Sequence, residues 1–270
     1  MKTGKAAGLT IRLFTGGIPI SLIFGAMGFL SVFRVPARII AAHLQQNESV
    51  WEEKLKKRKE SGDDTLFIED QGKLGDMIYG KESGRLNRIF LGGRKLSASE
   101  NACEVIAVYN AFTALRAIGK DESIKDFSFP GLISEFEKKG ISLWGYFGTS
   151  FGAVIRFVKA SGLKPYILRG KKITQESLMM LHDEKQEQAE CGISQDAAGF
   201  KWNVCIMMAE NTRGKIKDMV HTICITRKDH SSDIWKSHND YEGSREYASL
   251  KEAVLGYHNG KGRPLGLILL

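Results

Sequence analysis

The stretch NACEVIAVYNAFTALRAIG, residues 101–119, predicts the element around which the fold is built. Its apolar, alanine-rich run favours a helix that is buried on most of its surface. Asn101 is a good N-cap, and Glu104, three residues later, can close a capping box. Cys103 is then expected at the second helical position. A cysteine there is either a buried core thiol or a nucleophile at a helix tip, and the rest of the chain must distinguish the two.

Hydrophobic periodicity predicts the fold class. Helical patterns dominate residues 102–162, among them FPGLISEFEKKG and FGAVIRFVKASG, which both end at a glycine. Strand-like runs dominate the later part of the chain, where FKWNVCIMMAE, MVHTICITRK and PLGLILL occur. Helices followed by strands favour an α+β domain.

An apolar segment near the N-terminus predicts attachment to a membrane. Residues 13–33, LFTGGIPISLIFGAMGFLSVF, contain no charge and are long enough to cross a bilayer as a helix. No small-x-small cleavage site follows, so an uncleaved anchor is favoured over a signal peptide. A hydrophobic appendage that packs on the domain is the alternative. Basic residues flank both ends, which leaves the side of the membrane open.

The chain is therefore divided into three parts. Residues 1–35 form the hydrophobic segment or membrane anchor. Residues 36–64 are helix-prone and increasingly polar, and they end in the turn-forming SGDD, which is typical of a juxtamembrane helix or linker. The main domain is expected to span residues 65–270.

Composition excludes several classes of protein. The hydrophobic content of 43% indicates a globular core, not a disordered chain. The net charge of +8 is concentrated in the first 38 residues and in KLKKRK at 54–59. Because no nucleic-acid-binding motif accompanies this charge, no nucleic-acid partner is expected.

The four cysteines do not form a recognisable scaffold. Their spacing matches neither a disulfide framework nor a structural zinc module, although Cys205 and Cys224 lie in strand-like runs that can be neighbours. A cluster of His221, Cys224, His230 and His238 also lacks zinc-ligand spacing. We therefore predict no metal and no cofactor.

A catalytic cysteine needs a base and a group that orients the base. The positive end of a helix dipole favours the thiolate of Cys103, and Glu104 partly opposes this effect. His221 opens the apolar run HTICI, from which a strand can present an imidazole. Asn239 or Asp240, in the later sequence SHNDY, can accept the other imidazole N–H. His238 is an alternative to either.

The order cysteine, histidine, asparagine or aspartate resembles the papain-like cysteine peptidases. The closer resemblance is to bacterial double-glycine peptidases, which process bacteriocin leaders: a Cys-Glu or Cys-Gly pair opens an apolar helix, as in NACEVIAVYN. The stretches GTSFGAVIRFVKASGLKPYIL, HTICI and SHNDY continue the likeness, which covers roughly residues 85–260. It implies a papain-like fold, with a central helix packed on an antiparallel sheet.

One position departs from this pattern. These enzymes usually carry a glutamine about six or seven residues before the cysteine as an oxyanion-hole donor, whereas this chain has Leu96 and Ser97 there. The backbone amides of Ala102 and Cys103, with Asn101 or Ser99, are the replacement donors that we expect.

The resemblance implies a cysteine peptidase or amide hydrolase that acts on a peptide or protein substrate. Cys103 attacks the carbonyl, His221 takes and returns the proton, and Asn239 or Asp240 orients the imidazole. Two alternatives stay open. One is a non-catalytic binding module that keeps the fold, and the other is an accessory or immunity-type membrane protein.

Overall fold

The computed structural model describes residues 34–63, 66–90, 92–93, 95–119, 127–179, 181, 202–211, 220–228 and 234–270. The apolar segment of residues 13–33 lies outside the described residues, as do Cys191 and His230. None of the helices in the described ranges is long and apolar enough to span a membrane.

Helices and short 3₁₀ turns make up most of the first half of the chain. The α-helices are α1 (Ala37–Glu60), α2 (Gly84–Phe90), α3 (Ala98–Asn101), α4 (Cys103–Ala117), α5 (Phe129–Lys139), α6 (Phe151–Ala160), α7 (Gln175–Met179) and α8 (Leu250–Gly256). The 3₁₀ turns are Gln71–Leu74, Leu143–Gly145, Gly170–Lys172 and Tyr257–Gly260.

Six strands of the described chain form one sheet in the order β1-β6-β2-β3-β4-β5, and all neighbours are antiparallel. The strands are β1 (Tyr166–Arg169), β2 (Val204–Asn211), β3 (Val220–Arg227), β4 (Trp235–His238), β5 (Glu246–Tyr247) and β6 (Gly262–Leu269). This architecture confirms the α+β class that the sequence predicts.

Each face of the sheet has its own hydrophobic core. Ile206 and Cys224 point toward α4, whose side chains are buried from Glu104 to Leu115 with the exception of Tyr109, which is partly buried. Cys205 and Ile225 point the other way, toward α8. Since successive residues of a strand alternate between faces, a helix is packed on each side of the central strands.

The start of α4 differs from the sequence prediction. Asn101 is not the N-cap, because it belongs to the preceding helical turn α3, and no side chain caps α4. Cys103 is the first residue of the helix, directly after Ala102. The predicted capping box with Glu104 therefore does not form, which frees the Glu104 side chain for other contacts.

Helix α1, which the sequence assigns to a juxtamembrane helix or linker, packs on the domain. Trp51 is buried against Tyr109 and Phe129, with ring centroids 5.8 and 5.3 Å away. The Asn47 amide exchanges hydrogen bonds with the backbone of Ile78, at 2.8 Å in both directions. Residues 37–60 therefore contribute to the same core as α4.

The strand-like runs that contain Cys205 and Cys224 are neighbours in the sheet, as the sequence indicates. The two residues lie on neighbouring strands one register position apart, because Cys205 pairs with Ile225 and Ile206 pairs with Cys224. Both thiols are free, and they face opposite sides of the sheet. A disulfide between them is excluded by this geometry.

Helix α4 is joined to the irregular chain before it by one buried amide. Asn110 donates to the carbonyl of Ile68 at 2.9 Å and accepts from its backbone N–H at 2.8 Å. Asn110→Ala leaves both backbone groups buried without this partner. We expect a loss of about 2–5 kcal/mol in the free energy of unfolding, measured by urea denaturation. Thr113→Ala, one turn later in α4, is the control, and a loss as large as that of Asn110→Ala would contradict this role.

Candidate active site

Cys103 lies where the start of α4 meets strand β3. Its side chain is half-buried, and the backbone amides of Thr222 and Glu104 donate to its sulfur. Thr222 directly follows His221 in β3. The fold therefore brings the predicted nucleophile to the strand position next to the predicted base.

The His221 imidazole is fixed from two sides. Its Nε2 donates to the main-chain carbonyl of Asn239 at 2.7 Å, and the Tyr241 ring stacks on it with centroids 4.3 Å apart. A neutral ring that donates through Nε2 keeps Nδ1 as an acceptor. Within the described residues, this ring and the Cys103 sulfur form no hydrogen bond with each other. The strand alternation explains this, since Thr222 faces α4 and His221 faces the other side.

Asn239 orients His221 through its backbone, not through its side chain as the sequence analysis expects. It has a positive φ of 61°, which asparagine tolerates better than most residues and which turns the carbonyl toward the ring. Its side-chain amide instead faces Gln71. Asn239 Oδ1 accepts from the Gln71 backbone N–H at 2.9 Å, and Nδ2 donates to Gln71 Oε1 at 3.2 Å.

Gln71 is a polar residue of this site that the sequence analysis missed. It begins the 3₁₀ turn Gln71–Leu74, and its Nε2 donates to the Ser99 carbonyl at 2.9 Å. Its side chain thus bridges the turn before Cys103 and the loop after β4. Gln71 lies far before the positions six or seven residues ahead of Cys103 where a glutamine was expected, and no sequence pattern indicates it.

The remaining predicted residues occupy different surroundings. Asp240 is buried; its Oδ1 accepts from the backbone N–H of Glu242 at 3.4 Å, and its Oδ2 has no hydrogen-bond partner among the described residues. Burial raises the pKa of the Asp240 carboxyl. Ser99 Oγ pairs with Ser97 Oγ at 2.8 Å. Ala102 is fully buried.

His238 belongs to a separate network on the face that packs against α4. Its Nδ1 bonds to the Glu69 carboxylate at 3.0 Å, its Nε2 bonds to Thr226 Oγ1 at 2.8 Å, and Phe67 stacks on its ring. Burial alone raises the pKa of Glu69, but the bond and charge of His238, with help from Ser244 and Lys236, lower it to about 2. These contacts direct His238 away from the role of an orienting partner for His221.

The protonation states differ from those expected at a helix tip. Burial raises the pKa of the Cys103 thiol well above its ordinary value, and the Glu104 charge raises it further. The two backbone amides at the sulfur act in the opposite direction but do not overcome burial. Burial also lowers the pKa of His221 to about 4. A neutral thiol and a neutral imidazole are therefore the resting forms at neutral pH.

Glu104 is the acidic group nearest to the sulfur. Its carboxyl accepts a hydrogen bond from the Cys103 thiol, and its Oε1 accepts from Thr222 Oγ1 at 3.4 Å. Its side chain is buried, and Oε2 has no partner among the described residues. Burial raises the pKa of this carboxyl to about 7. The group is thus poised to gain or lose a proton near neutrality.

No group of three metal-ligating side chains occurs in the part of the chain that the structure describes. Cys224 and His238 pair across β3 and β4, but the His238 imidazole already bonds to Glu69 and Thr226.

Family models, curated proteins and solved structures were compared with this chain, and none of them matches it.

The raised pKa of Glu104 makes stability depend on pH. Between the ordinary pKa of 4.5 and the folded value of about 7, the folded state keeps a proton that the unfolded state has lost. The wild type therefore loses stability as pH rises through this window, by up to about 3 kcal/mol.

Glu104→Gln cannot lose this proton. The free energy of unfolding of the variant minus that of the wild type should increase by about 3 kcal/mol from pH 4 to pH 8, measured by urea denaturation at each pH. All other titrating groups cancel in this difference. A difference that stays constant over the range would show that the carboxyl is not perturbed.

Proposed function

We propose that the chain is a cysteine peptidase or related amide hydrolase with a papain-like arrangement. The observation that carries the proposal is the position of Cys103, the first residue of the buried helix α4, with its sulfur against the β3 amide that follows His221. A helix packed on an antiparallel sheet agrees with the fold implied by the sequence resemblance. A peptide or protein is the proposed substrate.

The proposed roles follow from the hydrogen bonds. Cys103 Sγ attacks the substrate carbonyl, and His221 moves a proton between the sulfur, the leaving group and water. The Asn239 carbonyl holds Nε2–H of His221 and so keeps Nδ1 as the acceptor. Tyr241 covers one face of the ring and supports its orientation. No cofactor is needed for this chemistry.

Gln71 is the proposed side-chain donor of the oxyanion hole. Its amide has two N–H groups, and the Ser99 carbonyl takes one of them. The second N–H is available to a developing oxyanion beside the backbone amide of Cys103. In this proposal Gln71, from another segment of the chain, replaces the glutamine that is missing at Leu96 and Ser97.

Membrane association through residues 13–33 is part of the same proposal. The segment is uncharged and long enough to span a bilayer. Helix α1 follows it closely and packs on the domain through Trp51. Such an anchor would hold the domain near the membrane surface.

A non-catalytic binding or accessory protein is the second candidate. Its support is that the ring of His221 and the Cys103 sulfur are not hydrogen-bonded to each other in the described structure, and that burial raises the pKa of the thiol. In that case the papain-like arrangement would serve recognition alone. The acylation experiment that follows separates the two candidates.

An activated ester reports whether Cys103 is an acyl acceptor. Wild-type protein incubated with p-nitrophenyl acetate should release nitrophenolate and acquire its acetyl group on Cys103, located by peptide mass spectrometry. Cys103→Ser should lose this labelling. His221→Gln should slow the release of the acetyl group by water by about 10²–10⁴-fold, because the base that activates the water is removed.

Matched variants define the specificity of this result. Cys205→Ala removes a buried free thiol on β2 and should leave acylation unchanged. His238→Gln removes the histidine of the Glu69 network and should cost far less than His221→Gln. An equal rate of acetylation on all cysteines, or none on Cys103, would favour the binding module.

The oxyanion role of Gln71 predicts a separate effect. Gln71→Ala should lower the acylation rate by about 10²–10³-fold, which is the usual cost of one lost donor. Asn239→Gly keeps the carbonyl that holds His221 and tolerates the positive φ, but it removes the amide that positions Gln71. The acylation rate of Asn239→Gly should therefore fall no further than that of Gln71→Ala. A larger fall would show that the Asn239 side chain itself orients His221.

A further inference from the structure

Two buried polar atoms next to Cys103 have no partner among the described residues. They are Oε2 of Glu104 and Nδ2 of Asn101. Both residues border Gly148, where an added Cβ would lie 3.4 Å from Glu104 Oε2 and 3.1 Å from the Asn101 carbonyl oxygen. An unpaired buried carboxylate oxygen is costly and calls for a reason.

Among the groups around the Glu104 carboxyl, the Cys103 thiol is the one that can exchange a proton with it. On β3, Thr222 offers only a hydroxyl to Oε1, and His221 is turned to the Asn239 carbonyl. Tyr79 is engaged by Thr149, and its pKa is raised by burial first and also by the charges of Glu104 and Glu137. The backbone amides of Glu104 and Thr149 also bond to the carboxyl but do not exchange a proton with it, whereas the Cys103 thiol bonds to it directly.

We propose that Glu104 is the proton acceptor for the Cys103 thiol, so that the two side chains form a dyad that shares one proton. The inference rests on the proposed function and refines its roles. Glu104 is a catalytic residue in this scheme because it touches the reacting sulfur. His221, which is held away from the sulfur, keeps the hydrolytic half of the reaction.

The proton and electron balance of the first half is complete with this pair. The S–H bond breaks and its proton goes to a Glu104 oxygen, while the sulfur electron pair forms the bond to the carbonyl carbon and the π pair moves to oxygen. When the C=O bond re-forms, the C–N bond breaks. The nitrogen keeps that electron pair and takes the proton from Glu104, which returns to carboxylate.

The second half uses His221 and water. The imidazole takes a proton from water as the water oxygen bonds to the acyl carbon and the C=O π pair moves to oxygen. The C=O bond then re-forms as the C–S bond breaks, the sulfur keeps that electron pair, and the proton on the imidazole reaches the sulfur through water. The chain returns to a neutral thiol, a neutral His221 and a carboxylate.

A shared proton gives the alkylation of Cys103 a distinctive pH profile. Below about pH 7 both groups are protonated, and the thiolate fraction grows about tenfold per pH unit. Above this value the pair has lost one proton, and the thiolate form with neutral Glu104 is a fixed share of the singly ionised dyad. The rate of labelling by iodoacetamide should therefore level off near pH 7 in the wild type.

Glu104→Gln removes the second member of the dyad. Its labelling rate should match the wild type below about pH 6 and continue to rise through pH 7, becoming about tenfold faster at pH 8. Rates are measured on Cys103 by peptide mass spectrometry from pH 5 to pH 10, with the fold checked by circular dichroism. Glu100→Gln, in the turn before Cys103, controls for the loss of a negative charge. Its labelling rate should still level off near pH 7, and this change of slope is called the break below.

Thr222→Val tests the dyad while Glu104 is present. The hydroxyl of Thr222 lowers the pKa of the carboxyl, so its removal should move the break to higher pH. Parallel profiles for the wild type and Glu104→Gln, or a break that disappears in His221→Gln and persists in Glu104→Gln, would overturn the proposal. Alkylation needs no substrate, so these outcomes are independent of the ester acylation that tests the proposed function.

Discussion

The packing of α4 on one face of the sheet is the contact on which the rest of the structure depends. The helix is buried on nearly all sides from Glu104 to Leu115, so it cannot rotate or slide without exposing apolar surface or creating cavities. Asn110 fixes its middle to the chain at Ile68, and its first turn meets Thr222. The position of Cys103 is therefore a consequence of core packing.

Periodicity was sufficient to predict this core. The helices that end near Gly140 and Gly162 and the paired strands β2 and β3 lie where the apolar runs indicate them. At the start of α8 the Ser249 side chain accepts from the Glu252 amide at 3.1 Å, and Glu252 Oε2 accepts from the backbone N–H of Ala248 at 3.1 Å. These features depend on neighbours in sequence or on a repeated pattern, and both are visible in a single chain.

The candidate site was less predictable because its contacts join distant segments through the backbone. Cys103 and His221 were selected from the sequence for their residue types, but the carbonyl that holds His221 belongs to the main chain of Asn239 and is not encoded by a side-chain type. Gln71 reaches the site from an irregular segment without periodicity. The burial that raises the pKa of Cys103 is a property of the assembled core, so the helix-dipole argument alone predicted the opposite shift.

The carboxyl groups of Glu69 and Glu104 have pKa values shifted in opposite directions, and both burial and pairing contribute, since Glu69 is 28% exposed and Glu104 is 7% exposed. Glu69 is bonded to His238, Ser244 and Lys236, and these partners offset burial and hold its pKa at about 2. The Glu104 carboxyl accepts from the backbone amides of Glu104 and Thr149, from the thiol and, at 3.4 Å, from Thr222, but burial outweighs these bonds and its pKa is about 7. A carboxylate that only joins elements is stabilised by complete pairing, as Glu69 is. Incomplete pairing beside a sulfur leaves Glu104 able to exchange a proton at neutral pH, which is the property that acid–base chemistry requires.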